Sequence, residues 1–263
     1  MKRIRFPRIP GLRRSGAPIR FAIGADGAVV SWTARRNGGI GDRITVDFRD
    51  APPEAMLKEP ERHGRRLGER LRAAGARETD AALTLPLDWT AALRAERPAG
   101  LPEDDVAAFM DLHAERTAPF GGTGWRLALP ARPDANSAPL VAAAMPEPRW
   151  LALERLAAAA GLRWVSAQTD APAVIADDAP LALELTPFGD RLIVAARERG
   201  RLIEWGSLPA AAAADRARLA AGLRLFARAL PRPAAAARAL RWRGPPTAEL
   251  AGAVEAWRSA DGW

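Results

Sequence analysis

Residues 180–205 read PLALELTPFGDRLIVAARERGRLIEW. Leu181, Leu183 and Leu185 alternate with smaller or polar residues. After the break at Thr186-Pro187-Phe188-Gly189, Leu192 and Val194 alternate again. After Arg199-Gly200, Ile203 and Trp205 do the same. Apolar residues at period two, with Gly and Pro at the breaks, mark strands joined by hairpins. The stretch predicts a three-stranded antiparallel meander.

A second meander opens the chain. IRFAIGADG from Ile19 and AVVSWTA flank Asp26-Gly27, a strong short-range hairpin signal. A third strand, Arg43–Phe48, follows the Gly38-Gly39 break. Next come a helix over Pro60–Ala74 with Gly75 as its cap, and a strand over Ala81–Leu87. After a short polar stretch, a helix is expected over Pro102–Ala118. Glu103, Asp104 and Asp105 suit its positive N-terminal end. A strand over Gly124–Pro130, a short helix over Ser137–Ala144 and a helix over Arg149–Ala160 capped by Gly161 follow. Then come a strand over Leu162–Ala167 and a helix opened by Asp170-Ala171-Pro172. Beyond the second meander, the pattern predicts a long helix over Leu208–Leu230, a strand over Arg238–Arg243 and a last helix capped by Thr247. The order β-β-β-α-β thus occurs twice. The expected division is a basic tail over 1–18, a first half over 19–178 with an insertion at about 79–148, and a second half over 179–263.

Composition narrows the classes of function. The chain has 263 residues, 48% of them hydrophobic, with nine Trp and seven Phe supplying the bulk. No Cys is present, which excludes disulfides and thiolate metal sites. The net charge of +8 permits an anionic partner, but Arg and acidic residues alternate as on a solvated surface. No apolar run approaches the ~20 residues of a membrane span. The start MKRIRFPRIPGLRR lacks the apolar core of a secretory signal. The expected location is cytoplasmic. Lys2, Arg3, Arg5, Arg8, Arg13 and Arg14 form either a solubilising tail or an arm for acidic lipid headgroups or an acidic partner.

The ordered set of short motifs resembles PilM of type IV pilus assembly and the cytoplasmic domain of GspL of type II secretion, members of the actin-like ATPase superfamily. The matching features are Leu85-Pro86, Glu115 with Pro119, Gly161-Leu162, Asp170, and the meander from Leu181 to Ile203. The resemblance implies an α/β fold of actin-like (ribonuclease H-like) type: duplicated β-β-β-α-β-α halves, an insertion in the first and a shortened second. It also implies an inner-membrane pilus or secretion component as partner, gripped by the insertion at Leu85–Leu129, with the assembly ATPase as a further contact.

Actin-like ATPases carry an Asp-x-Gly turn after the first strand of each half, where backbone N–H groups cradle phosphate. Here Gly24 stands at that place in the first half, with Asp26 and Gly27 displaced into the hairpin. In the second half Glu184 and Thr186 replace Asp and Gly, and Pro187, which has no N–H, follows. This degeneracy argues against ATP and magnesium as cofactors and against catalysis. The rival expectation is a working actin-like ATPase or sugar-kinase relative, with Asp26 and Glu184 serving the metal.

Other chemistry is weakly encoded. His63 and His113 stand alone, without the spacing of a metal site or a triad. The loop Gly121-Gly122-Thr123-Gly124 lacks the ending of a phosphate-binding loop. Asp177-Asp178 reads as a loop. The Trp-Arg alternation at Leu240-Arg241-Trp242-Arg243 is explained by a strand with one buried face. No nucleic-acid partner is expected, although a basic adaptor remains the third class of function.

Overall fold

The computed structural model describes residues 19–24, 26–36, 39–49, 51–77, 79–117, 124–129, 139–170, 179–209, 216–230, 238–261 and 263. The basic tail, the glycine loop at 121–123, the helix expected after Asp170 and the Asp177-Asp178 loop lie outside these residues. The strands are β1 (Ile19–Gly24), β2 (Gly27–Arg36), β3 (Gly39–Phe48), β4 (Asp80–Leu85), β5 (Ala91–Ala95), β6 (Trp125–Ala128), β7 (Leu140–Pro146), β8 (Arg163–Thr169), β9 (Leu181–Phe188), β10 (Arg191–Glu198), β11 (Arg201–Pro209) and β12 (Arg238–Trp242). The helices are α1 (Pro53–Lys58), α2 (Pro60–Ala73), α3 (Val106–Thr117), α4 (Glu147–Ala160), α5 (Arg216–Arg228) and α6 (Ala248–Asp261).

The chain forms two compact units. The first draws on Met1–Pro86, Gly122–Arg126 and Met145–Asp170, and the second on Leu87–Gly121, Leu127–Ala144 and Ala171–Trp263. Most of the insertion thus belongs with the second half. Each unit is built on one large sheet. The first has the order β3-β2-β1-β4-β8, the second β11-β10-β9-β12. In both, a meander is extended by a parallel strand on its first member: β4 beside β1, and β12 beside β9. That repetition is the duplication expected from the alternation patterns.

In the first unit Ile19, Phe21, Ala28, Val30 and Leu83 are buried. Phe21 packs edge-on against Trp164, with ring centres 5.4 Å apart. Helices α2 and α4 meet closely because α2 presents Gly64 and Gly68, one turn apart. A methyl on Gly64 would collide with the carbonyl oxygen of Leu156, and one on Gly68 would come within 2.7 Å of that of Ala160. Both helices end as their glycines predict. Gly75 and Gly161 have φ of 81° and 76°. The amides of Ala76 and Leu162 reach back to Leu71 and Ala157, the Schellman pattern that satisfies terminal carbonyls.

In the second unit Leu181, Leu183 and Leu185 join Leu192, Val194, Ala196, Leu219, Leu223, Leu250, Val254 and Trp257 in one core. The opposite face of the sheet carries Ile193, Ala195 and Trp205, covered by Leu87, Ala92, Val141 and Ala143 of the insertion. The Trp205 Nε1–H donates to the Thr90 hydroxyl at 3.0 Å. Helix α6 starts as its sequence implies, with the Leu250 amide donating to Thr247 Oγ1 at 3.2 Å.

The hairpin between β10 and β11 turns on Arg199 and Gly200, with φ of 48° and 78°. Two successive positive φ values mark a I′-type turn, which favours Asn before Gly. Arg199→Asn is expected to stabilise the protein by roughly 1 kcal/mol, since a bulky side chain is disfavoured in the left-handed region. Urea unfolding checks the sign.

Three expectations are corrected. Ser137–Ala144 is not a helix: residues 137 and 138 lie outside the described set, and Leu140–Pro146 forms β7, antiparallel to β5. Leu140, Ala142 and Ala144 are buried on alternate positions, so cross-strand packing overrides the helix propensity of alanine. The stretch before α3 contains β5, Ala91–Ala95, where no element was expected. The helix expected from Leu208 begins, among described residues, at Arg216, because β11 runs on to Pro209 opposite Arg191.

Candidate functional site

The candidate phosphate positions sit in the two first hairpins. In the first, Gly24 ends β1 and pairs with Gly27, leaving a two-residue loop that includes exposed Asp26. Gly27 has φ of 146°, and a methyl there would come within 2.5 Å of the Phe48 carbonyl oxygen. Its missing side chain serves the close approach of β3. That is a packing reason for glycine, independent of any phosphate.

In the second hairpin the strand continues past the expected turn. Thr186, Pro187 and Phe188 lie within β9, opposite Ile193, Leu192 and Arg191. The turn is Gly189-Asp190 instead, with Gly189 at φ 58°. Pro187 is tolerated because β12 pairs with β9 only as far as Leu185. Thr186 is half-buried in a strand and leaves no glycine bend.

Glu184 is mid-strand and only 4% exposed. Facing it is Arg197 of β10, fully buried, whose Nε lies 3.1 Å from Glu184 Oε1. The Arg197 Nη1–H donates to the Gly200 carbonyl at 3.2 Å. Arg243, just beyond β12, brings a second guanidinium 3.8 Å from Glu184 Oε2. A carboxylate at this depth requires compensation by an opposite charge. Here that charge comes from within the protein, on two sides. The residues therefore do not fit a magnesium–nucleotide site: the acid is already ion-paired and the turn lacks its glycine. Arg197 was not singled out from the sequence, yet a signal existed. Once the loop is placed at Gly189-Asp190, Glu184 falls opposite Ala195 and Arg197 becomes its diagonal neighbour.

The other sites singled out have structural roles. His63 is buried on α2, edge-on to Phe48 at 6.4 Å. His113 stacks on Phe109 along α3. Trp242 packs partly against the core of the second unit. In the expected partner region, α3 buries Val106, Met110 and Ala114 and leaves Leu112 57% exposed.

One further acid is perturbed. Burial pushes the Glu204 carboxyl above its ordinary value of 4.5, opposed by the Trp205 amide and the Arg94 charge. Because the folded-state value is raised, the folded protein holds this proton more tightly than the unfolded chain. The stability it contributes is full below the ordinary value and is lost as pH rises through the raised one. Glu204→Gln is expected to be more stable than the native protein at pH ~7, with the gain vanishing as pH falls below the ordinary carboxylate range. Thermal melts at both pH values check this.

No protein-family model matches the chain, and no curated protein matches it in sequence. Solved structures do. The PilM-PilN type IV pilus biogenesis complex matches at TM-score 0.63 and 15% identity, covering 93% of this chain and 86% of that one. The cytoplasmic domain of EpsL, an inner-membrane component of the type II secretion system of Vibrio cholerae, matches at 0.46 and 13%, covering 92% and 94%. A Bacteroides thetaiotaomicron protein with an actin-like ATPase fold and unknown function matches at 0.48 and 9%, covering 92% and 87%. The likeness to the PilM-PilN structure and the duplicated sheets together show the fold, which is an actin-like α/β fold.

Proposed function

We propose that this protein is a non-catalytic scaffold at the cytoplasmic face of an inner membrane, in a machine of the type IV pilus or type II secretion kind. It holds the cytoplasmic part of an inner-membrane component, through surfaces that include the insertion. Support for the machine comes from the fold, shared along 93% of the chain with a PilM solved in a pilus biogenesis complex. The absence of catalysis rests on one observation: the acid at the second phosphate position is buried and ion-paired to Arg197. Among the described residues no helix is long and apolar enough to cross a membrane. The basic residues at 2–14 add a contact with acidic headgroups, at about 1 kcal/mol each near the surface. The assembly ATPase is the second partner of this reading.

Thermal melting with ATP and magnesium separates this from a working ATPase. A ligand at about a hundred times its dissociation constant adds roughly 2.7 kcal/mol to the folded state. The expected result with millimolar ATP–magnesium is no shift, and a clear rise would overturn the reading that the nucleotide site is lost. A pulldown from the native cell that recovers no pilus or secretion component would overturn the assignment to such a machine.

A further inference from the structure

A buried polar atom costs free energy unless it has a hydrogen-bond partner. The Glu184–Arg197 pair between β9 and β10 meets this demand only in part. Arg197 Nε lies 3.1 Å from Glu184 Oε1, close enough for the charges to pair. Its N–H is not aimed at that oxygen, however. Among the described residues neither Nε nor Nη2 of Arg197 finds an acceptor. Nη1 is used, on the Gly200 carbonyl at 3.2 Å. Glu184 Oε2 accepts nothing among the same residues. Arg243 stands 3.8 Å from it, beyond hydrogen-bond length, and is itself half exposed. Two donors and one acceptor are therefore unmet around a side chain that is 0% exposed.

The covalent plan of a guanidinium sets Nε–H and one Nη2–H side by side on one edge, pointing the same way. That edge is a fork for a single acceptor. Oε2 belongs to the same carboxylate as Oε1, so it lies within two hydrogen bonds of the fork. The species that fits accepts from both N–H groups and donates to Oε2. Water does so. A chloride or a carboxylate accepts but has no proton for Oε2, and would set a second negative charge against it. The neighbours leave space. On this face of the sheet Glu184 stands opposite Ala195 and Arg197 opposite Ala182, and both alanines are buried. Methyl groups flank the charged pair where larger side chains would fill the gap. We infer that one internal water is built into the second sheet, accepting from Arg197 Nε and Nη2 and donating to Glu184 Oε2. Three hydrogen bonds are the ordinary complement of a buried water. Arg197 is then held by Gly200 at one end and, through the water, by Glu184 at the other. This inference shares its residues with the ion pair that argues against a nucleotide, but not its test. Without the water the carboxylate is still paired, and the ATP result is untouched.

Nuclear magnetic resonance of the full chain, labelled with nitrogen-15, tests this at the Arg197 Nε–H. The expected result is a cross-peak to water that has opposite signs in laboratory-frame and rotating-frame Overhauser experiments. That pattern marks a water held for longer than about a nanosecond. Exchange of the same proton is expected to be about a hundredfold or more slower than at an exposed arginine such as Arg65. The proposal is overturned by an Nε–H with no cross-peak to water. It is also overturned by cross-peaks of equal sign, which report exchange with bulk solvent, or by an Nε resonance that titrates with chloride, which would make an anion the occupant. The double variant Arg197→Met with Glu184→Leu gives a second reading. Deuteron relaxation of the solvent measures the number of long-lived internal waters, which is expected to fall by one. An unchanged number in the folded double variant overturns the proposal.

Discussion

Arg197→Met alone will lower the stability of the protein by roughly 3–5 kcal/mol, the usual cost of leaving a buried charge without its partner. Glu184 lies in the middle of β9 and is only 4% exposed, so its carboxylate stays out of water in the folded protein. Arg243 remains, at 3.8 Å and half exposed, and compensates only in part. Pairing the change with Glu184→Leu removes both charges. The double variant is expected to return to within about 1 kcal/mol of the native protein, since buried ion pairs are often replaced by apolar residues at no net loss. The coupling between the two sites is then the sum of the two single costs less that of the double variant. Urea denaturation of the four proteins measures it, and a single-variant cost under about 1 kcal/mol would contradict the buried pair.

Trp257→Ala is expected to cost a similar amount, roughly 3–5 kcal/mol. The ring is 1% exposed and lies among the leucines of β9 and α5. A loss of that size in a protein of this length lowers the melting temperature by roughly 10 °C or more. Trp257→Phe should cost far less, about 1–2 kcal/mol. The indole Nε1 is buried without a hydrogen-bond partner among the described residues, and phenylalanine removes that donor along with some volume. The contrast between the two substitutions separates lost packing from the polar penalty.

Both meanders were legible because each combines period-two alternation with Gly at the turns, but the register of β9 against β10 was not, since the break expected at Thr186–Gly189 is strand as far as Phe188. Helix ends at Gly75, Gly161 and Thr247 were legible for the same local reason. The alanine-rich strands were not. β5 and β7 are rich in alanine, which favours helices, and on one face Ala92, Val141 and Ala143 pack only against the sheet of the second unit, with Trp205 and Ile193, which local sequence does not reveal. The extension of β11 to Pro209 was hidden likewise, since Gly206-Ser207 reads as a break until Arg191–Ile193 are placed opposite. At the candidate site, the loss of Gly at Thr186 could be read directly. The neutralising partner of Glu184 could not, because Arg197 is 13 positions away and meets it only through the hairpin.

Apart from Gly122–Arg126, the insertion leaves the first unit at Leu87 and returns to it at Met145, while its apolar side is covered by β10 and β11. This sets an order on synthesis. The first unit has all of its chain once Asp170 emerges, where the Asp170 amide joins the Leu85 carbonyl. Residues 87–144 are made before that point, but Leu87, Ala92, Val141 and Ala143 have no sheet to cover until Trp205 has followed. For the interval between, at ~5–20 residues per second, the nascent protein carries a closed domain with an unsatisfied apolar loop. A released chain that ends at residue 178 should therefore display a protease-resistant first unit and a cleavable insertion, and resistance of both would show that the insertion folds by itself.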